Sequence, residues 1–464
     1  MKQTCLGRMA ALGAVILLAS CGHKKEPAEG FRAATEESPA ASVLVPAPRW
    51  TKTIALIGRE TGSGAEQALF DEFGRSVADR LKGFRVPRWA SDMPASATDV
   101  KADLLLDCGV RISGDTAVWD LSVVDPASKR SVWNQSSRLP VEEFERAAEA
   151  AAGRAAALAG TGGDAPAGDA GSGFPEKSLF LICLRAGAAG ASGTRQGIDS
   201  AVRDYKTVLR QDSTFLLAWR GLGRAYLDIV LTGLDRNRVW PELAKDAALR
   251  ALRIDSTDGR ARVLLGRIEA ERGDFRAAVR EAKRAAADRP NDPEAWILLG
   301  QAEGQGLADY EPAIDAFRRA LELDPASVEA ASSLAVLLTG SGRAKEATNV
   351  LKRGLLLDPE SPMLRTVLSL TRLVAGDIPE ARAEIGEALS SAGEDPFVHA
   401  IHAMILARSG EMDAALEEVT LRVEPYAGNM ASLHVSVAAV YALLGRNGTA
   451  VESLEKALNF GYID

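Results

Sequence analysis

Residues 293–325 read PEAWILLGQAEGQGLADYEPAIDAFRRALELDP, and this stretch decides the fold. Trp296 and Leu299 in its first half have helical spacing, and so do Ala313 and Phe317 in its second half. The closing Asp-Pro stops a helix, because proline has no N–H to donate to the preceding turn. The stretch therefore predicts two amphipathic helices joined by a turn.

The same pattern recurs on both sides of this stretch, because an alanine returns every 34 or 35 residues. The recurring alanines are Ala244, Ala278, Ala313, Ala347, Ala381, Ala415 and Ala450. A unit of this length buries its apolar face only by stacking on its neighbours. The unit starts are placed near Leu216, Gly259, Pro293, Val328, Pro362, Pro396 and Ala431. A less regular pair of helices precedes them, and its second helix carries Ala201, Tyr205 and Leu209.

These units resemble the tetratricopeptide repeat, which opens with the pattern W-x2-L-G-x2-Y. Trp219, Leu222, Gly223 and Tyr226 match that pattern in full. The resemblance implies an all-α solenoid of about seven to eight helical hairpins over residues 178–464. One departure is Arg422, which stands where a small residue is expected.

The unit that starts at Leu216 also carries an insertion around Leu231–Trp240. Insertions in repeat proteins are loops on one face, and that face is often the binding face. Two interpretations stay open for this insertion. It is either a plain elongated hairpin, which is favoured, or a loop with a specific contact.

The amino terminus has the features of a secretory signal. Lys2 and Arg8 precede an apolar run over 9–19, which is too short to span a bilayer as a helix. Leu18-Ala19-Ser20-Cys21 resembles the bacterial lipobox. That resemblance implies removal of residues 1–20 and lipidation of Cys21 with diacylglycerol and an amide-linked acyl chain such as palmitate. The alternative is an ordinary secretory signal with a chance cysteine.

Residues 21–50 are rich in Ala, Glu, Pro and Ser and predict a flexible tether. Gly22 follows the cysteine, and by resemblance to Gram-negative lipoproteins this favours the outer membrane, facing the periplasm. A second break, GTGGDAPAGDAGSG at Gly160–Gly173, predicts a linker over 160–177. Residues 51–159 lie between the two breaks and predict a separate domain.

That middle region has strand patterns at Thr53–Ile57, Phe84–Trp89, Asp103–Ile112, Ala117–Asp125 and Arg130–Ser136. Helical patterns follow the first strand and cover Val141 to about Ala159. The order predicts a small α/β sandwich. The run from Ala102 to Trp133 resembles the TolB amino-terminal-like domain. This domain followed by tetratricopeptide repeats recurs in sensory regions of some class III adenylate cyclases and some winged-helix regulators.

Charge and motifs argue against several functions. The formal net charge is −8, and loss of Lys2 and Arg8 makes it −10, so nucleic acid is not an expected partner. The glycine-rich loop Gly58–Gly64 lacks the Lys-Ser/Thr of a phosphate-binding loop. His399 and His402 lie three apart on a predicted helix, but a packing role is favoured over metal binding. The sequence therefore predicts neither an enzyme nor a bound cofactor.

A binding surface remains as the expected functional site. By resemblance to other tetratricopeptide arrays, the first helices line a groove through their second, fifth, ninth and twelfth positions. The polar residues at those positions are Arg220, Arg224, Arg260, Arg267, Glu294 and Gln301. The apolar ones farther along are Val336, Leu370, Leu373, Met404, Val435 and Ala439. Such a groove suits an acidic and apolar segment held by arginine forks, although a solvated scatter of arginines is the favoured alternative.

Two functions follow from these patterns. The first is a non-catalytic, membrane-anchored lipoprotein that scaffolds a protein or peptide partner in the cell envelope. The second is a sensory subunit whose α/β domain binds a small ligand and relays it through the repeats. The sequence names neither the partner nor the oligomeric state. Cys108 and Cys183 are expected to be buried rather than to bind metal or form a disulfide framework.

Overall fold

A computed structural model describes residues 52–58, 84–85, 88–89, 104–113, 116–125, 130–140 and 177–459, with gaps at 233, 236, 238, 307–308 and 429. The described residues fall into two compact units, one ending at Ala330 and the other beginning at Ala331. Among these residues, no helix has both the length and the hydropathy needed to cross a bilayer. The signal, Cys21, the tether, the loop over 59–64 and the linker over 160–176 lie outside them.

In the described residues, six strands precede the helical hairpins. They are β1 (Lys52–Gly58), β2 (Phe84–Arg85), β3 (Arg88–Trp89), β4 (Leu104–Ser113), β5 (Thr116–Asp125) and β6 (Arg130–Pro140). β1 pairs in parallel with β4, and β4, β5 and β6 form an antiparallel meander. Five of the predicted strand positions are therefore occupied by strands. The helices predicted around them lie outside the described residues, so the α/β sandwich stays a prediction.

The strand predicted over Phe84–Trp89 is confirmed at both of its ends. Phe84–Arg85 and Arg88–Trp89 pair in parallel with different parts of β1. Residues 86–87 between them lie outside the described part of the chain.

Helical hairpins make up the remaining described residues of the first unit. Their bounds are α1 (Lys177–Ala191) with α2 (Arg195–Gln211), α3 (Leu216–Leu231) with α4 (Val239–Ile254), α5 (Gly259–Glu271) with α6 (Phe275–Asp288), and α7 (Pro293–Gln301) with α8 (Tyr310–Leu323). In each pair the first helix packs against the second. The unit boundary falls within α9 (Val328–Gly340).

The second unit continues with the same kind of element. It contains α10 (Ala344–Leu357), α11 (Pro362–Val374), α12 (Ile378–Ala392), α13 (Pro396–Arg408), α14 (Met412–Glu418), α15 (Glu424–Ala427), α16 (Ala431–Leu443) and α17 (Asn447–Asn459). The seven predicted unit starts coincide with the first residues of α3, α5, α7, α9, α11, α13 and α16. The predicted starts are confirmed.

Local chemistry explains where these helices begin and end. Asp258, Asp274, Asp292 and Asp395 each cap a helix by accepting hydrogen bonds from the first free N–H groups. The turn between α5 and α6 needs Gly273, whose φ of 83° is a left-handed value that other residues adopt at a cost.

The recurring alanine is buried in every hairpin. Six of the seven alanines have no exposed surface, and Ala450 is also buried. A larger side chain there would separate the two helices, because protein interiors are packed at crystal-like density. The period found in the sequence is therefore the interval at which buried alanines recur in the core.

Two π-helical turns interrupt this regular pattern in the described helices, at Ala302–Gly306 after α7 and at Val419–Val423 after α14. A π-helical turn accommodates one extra residue in a helix. The alanines are spaced 35 residues apart in two places, from Ala278 to Ala313 and from Ala415 to Ala450. Each of these longer intervals contains one π turn, so the π turns absorb the additional residues.

Candidate partner-binding site

The first helices of the first unit form a row. α1 packs against α3, α3 against α5, and α5 against α7, in addition to the contacts within each hairpin. The predicted site residues Arg220, Arg224, Arg260, Arg267 and Gln301 all lie on α3, α5 and α7 of this row. We call these five residues the groove set.

Arg220 connects two neighbouring first helices. Its Nη1 atom lies 3.3 Å from Oδ2 of Asp258, and Asp258 is fully buried. The other carboxylate oxygen of Asp258 accepts hydrogen bonds from the backbone N–H groups of Arg260 and Ala261. Arg220 thus neutralises the buried carboxylate that caps α5, which gives this arginine a structural role.

Arg224 is also engaged within the protein. Its Nε atom lies 2.9 Å from Oδ1 of Asp228, one turn farther along α3. Both side chains are partly shielded from solvent. An acidic ligand would have to compete with Asp228 for this guanidinium.

Gln301 makes the third contact of this kind. Its Nε2 donates a hydrogen bond of 2.8 Å to Oε1 of Glu329, so α7 is joined to α9.

Arg260 and Arg267 are half-buried on α5, two helical turns apart, and therefore lie on the same side of that helix. Asp228, Asp258 and Glu329 accompany the groove set, so the face has mixed charge where the sequence indicated a basic one.

The apolar positions predicted for the groove are buried. Val336, Leu370, Leu373, Met404, Val435 and Ala439 are between 0% and 4% exposed. They therefore contribute to the core of the second unit in this structure. The exposed part of the predicted groove is the polar part on α3, α5 and α7.

The two histidines meet a carboxylate that sequence reasoning did not find. Nδ1 of His399 and Nδ1 of His402 lie 2.6 and 2.8 Å from the same oxygen of Glu418, on α14. Burial alone would raise the pKa of Glu418, but the hydrogen bonds from His402 and His399 outweigh it, and the pKa is lowered. Glu418 is far from the histidines in sequence, so no helical offset could reveal it.

No group of three histidine, cysteine or acidic side chains in the described ranges has metal-binding geometry. This result includes the cluster of His399, His402 and Glu418. The cluster is consistent with the packing role that the sequence favours for His402, because the carboxylate accepts both Nδ1–H bonds.

The insertion and the cysteine of the first unit both face the core. Leu231, Leu234 and Trp240 of the insertion pack against the buried cluster, and the ring of Trp240 lies 5.6 Å from that of Tyr226. These contacts favour the elongated hairpin over a specific contact loop. Cys183 is buried as expected, and burial raises the pKa of its thiol to about 12. The side chain of Cys108 lies outside the described part.

Comparison with known proteins identifies the repeats. Family models described as tetratricopeptide repeat match residues 259–302 and 305–371. A thermophilic tetratricopeptide protein from Thermus thermophilus is 22% identical, with a TM-score of 0.34 over 39% of this chain and 96% of its own. PilW, a type IV pilus biogenesis factor, is 20% identical, with a TM-score of 0.39 over 46% of this chain and 94% of its own.

A tetratricopeptide repeat protein from Parabacteroides merdae is 16% identical, with a TM-score of 0.40 over 61% of this chain and all of its own. The assignment rests on the family models together with the matching helix starts, which coincide with the repeat starts read from the sequence. The chain therefore carries tetratricopeptide repeats, a fold that serves as a scaffold for protein interactions.

Proposed function

We propose that this chain is a non-catalytic, membrane-anchored lipoprotein of the bacterial cell envelope that binds a protein or peptide partner. The observation that carries the proposal is the placement of Arg260 and Arg267. They are two turns apart on α5, a helix on which eight residues are buried. Guanidinium groups bind carboxylates through paired hydrogen bonds, so an extended acidic segment suits this face.

Arg220 is unsuitable for a binding test because it is part of the fold. Replacing Arg220 would leave the buried Asp258 without its counter-charge, and loss of binding would then be mixed with loss of stability. Arg260 and Arg267 are half-buried and lie on one side of α5, and they are therefore the residues chosen for the test. The experiment therefore uses the double variant Arg260→Glu and Arg267→Glu.

The matched control carries Arg253→Glu and Arg318→Glu, the same change in charge on the second helices α4 and α8. Both control side chains are exposed, Arg253 at 70% and Arg318 at 42%. Each form is used for crosslinking and capture from bacterial membranes, followed by mass spectrometry. We expect a partner captured by the native and control forms and lost from the α5 variant. Equal capture by all three would overturn the groove as the binding site.

The lipid anchor is proposed from Leu18-Ala19-Ser20-Cys21 alone, and its localisation is the outer membrane facing the periplasm. Metabolic labelling with palmitate, followed by membrane fractionation, tests it. The native chain should incorporate label and sediment with outer membranes, and Cys21→Ser should lose both properties. Label on Cys21→Ser would contradict the proposal.

The TolB amino-terminal-like domain is proposed for residues 51–159. The support is the strand order, in which β1 lies parallel to β4 and a meander of β4, β5 and β6 follows. Brief proteolysis of the native chain should cut first within Gly160–Gly173, because exposed glycine-rich linkers are preferred cleavage sites. Early cuts within β4–β6 would contradict a folded domain there.

A further inference from the structure

The outer side of α6 carries a line of three arginines. Arg276, Arg280 and Arg284 are spaced four residues apart and are all exposed. Residues four apart lie on the same side of a helix, and successive members are separated by about 6 Å along its axis. We call these three residues the arginine line.

Two members of the line lack an ion-pair partner among the described residues. Arg276 and Arg280 make no ion pair in that part of the chain, while Nη1 of Arg284 lies 2.9 Å from Oε1 of Glu281. Lys283 on the same helix is turned to the buried Glu303, with Nζ 3.2 Å from its Oε1. Arg276 and Arg280 therefore differ from Arg220 and Arg224, which form ion pairs with Asp258 and Asp228.

The neighbouring second helices differ at the same repeat positions. Counted from the recurring alanine, the residues equivalent to the line are Glu242, Asp246 and Arg250 on α4, and Glu311, Asp315 and Arg319 on α8. On α4 an acidic and a basic residue of this set form an ion pair, with Nε of Arg250 2.7 Å from Oδ2 of Asp246. Within the first unit, α6 thus replaces two acidic positions by arginine.

Folding does not account for this replacement. Like charges four residues apart destabilise a helix, whereas opposite charges at this spacing, as on α4, stabilise one. The α6 arrangement therefore lowers the stability of its own helix. A binding partner with negative charge would reverse that repulsion.

We propose that the arginine line docks an acidic segment of a partner protein, with carboxylates spaced by about 6 Å, as in a helix with glutamate at every fourth position. This inference goes beyond the proposed function, because the line lies on a second helix and not on the groove set.

The flanking charges distinguish this partner from an anionic membrane. A flat bilayer surface laid on α6 would also meet the acidic positions of α4 and α8, including Asp315, whose side chain is 75% exposed. Those carboxylates repel anionic headgroups. A single narrow segment along α6 avoids them.

The test uses a fluorescein-labelled, capped alanine-based peptide with glutamate at every fourth position, and the same peptide with glutamine. Fluorescence anisotropy with the full chain should show binding of the glutamate peptide that weakens as salt is added. The double variant Arg276→Glu and Arg280→Glu should raise Kd by more than about tenfold. The control variant Arg253→Glu and Arg318→Glu, with the same net charge, should stay within about twofold.

Four outcomes overturn the inference. The first is that the native chain does not bind the glutamate peptide, and the second is that it binds the glutamine peptide equally well. The third is that the control variant weakens peptide binding as much as Arg276→Glu and Arg280→Glu. The fourth is that the native chain binds phosphatidylglycerol vesicles and not the peptide. The groove proposal is read from partner capture, and the arginine line is read from peptide anisotropy. Failure of one is thereby separated from failure of the other. Circular dichroism confirms that each variant is folded.

Discussion

Arg220 on α3 reaches Asp258 at the start of α5, with 3.3 Å between Nη1 and Oδ2. Asp258 has no exposed surface and also accepts two backbone N–H groups of α5. One carboxylate therefore caps a helix and joins it to the previous hairpin. Because stacking of neighbours stabilises repeat arrays, this pair contributes to stability at the repeat interface.

Substitution Asp258→Ala should destabilise the protein by about 2–4 kcal/mol. Loss of a helix cap costs about 0.5–2 kcal/mol, and removal of one partner of a buried ion pair adds to it. Asp258→Asn keeps the cap and should cost about half as much. Urea unfolding followed by circular dichroism measures both. Equal losses from Ala and Asn would mean that the cap contributes nothing.

Gly221 on α3 packs against the ring of Tyr205. A Cβ at this glycine would lie 2.2 Å from Cζ of Tyr205, a distance that a buried ring cannot tolerate without moving. Gly221→Ala should therefore lower the free energy of unfolding by about 1–3 kcal/mol.

Gly386 on α12 is the matched control, since a Cβ there would meet nothing within 4 Å. Gly386→Ala should stabilise the protein by about 0.5–1 kcal/mol, because glycine loses more conformational freedom than alanine in a helix. Thermal unfolding of the two variants should shift in opposite directions. Shifts in the same direction would show that packing around Gly221 is not the cause.

Cys183 should be unreactive in the folded protein. Burial raises the pKa of its thiol to about 12, and the thiolate is the reactive form. Iodoacetamide at neutral pH should leave the peptide containing Cys183 unmodified in native protein and modify it in urea, as read by mass spectrometry. Rapid labelling under native conditions would show that the cluster around α1 opens to solvent.

Glu418 makes stability depend on pH. Its folded pKa is lowered by the hydrogen bonds from His402 and His399, which outweigh the opposing effect of burial. A carboxyl with a lowered folded pKa contributes stability that is fully present above its unfolded pKa, taken here as 4.5, and is lost as pH falls through the folded value. The native protein should therefore lose stability more steeply below pH 4.5 than Glu418→Gln. Urea unfolding measures the stability of both proteins across this range. If both lose stability equally, Glu418 is not the cause of the pH dependence.

Much of the helical fold could be predicted from the sequence, because its period is fixed by packing. Ala313 recurs as a small residue since two helices meet there, and Pro293 opens a helix since its missing N–H costs nothing at that position. These local rules place each helix start. The partners of Arg220 and Arg224 could not be predicted in the same way, because ion pairing depends on how side chains from different turns and helices approach.

Arg422 shows where the repeat pattern fails for a physical reason. A small residue is expected there, yet Arg422 is exposed and pairs with Glu394. The π turn Val419–Val423 shifts the register by one residue, so Val423 takes the buried place with no exposed surface. The longer interval before Ala450 is visible in the sequence, but it does not reveal which turn of the helix holds the extra residue.

Removal of one residue from this π turn tests that explanation. Deletion of Leu421, whose side chain is exposed, would place Val423 at the regular repeat position and restore the 34-residue interval. We expect a cost of about 1 kcal/mol, at the low end for single changes.

The comparable deletion of Ala383 from α12 has no surplus residue to absorb. It would rotate the buried Ile385 and Ala388 by one position, away from the core. That loss should exceed about 4 kcal/mol, because several buried side chains become exposed together. Urea unfolding of the two deletion variants measures the difference. If deletion of Leu421 costs as much as deletion of Ala383, the π turn is required for the fold and does not merely hold an inserted residue.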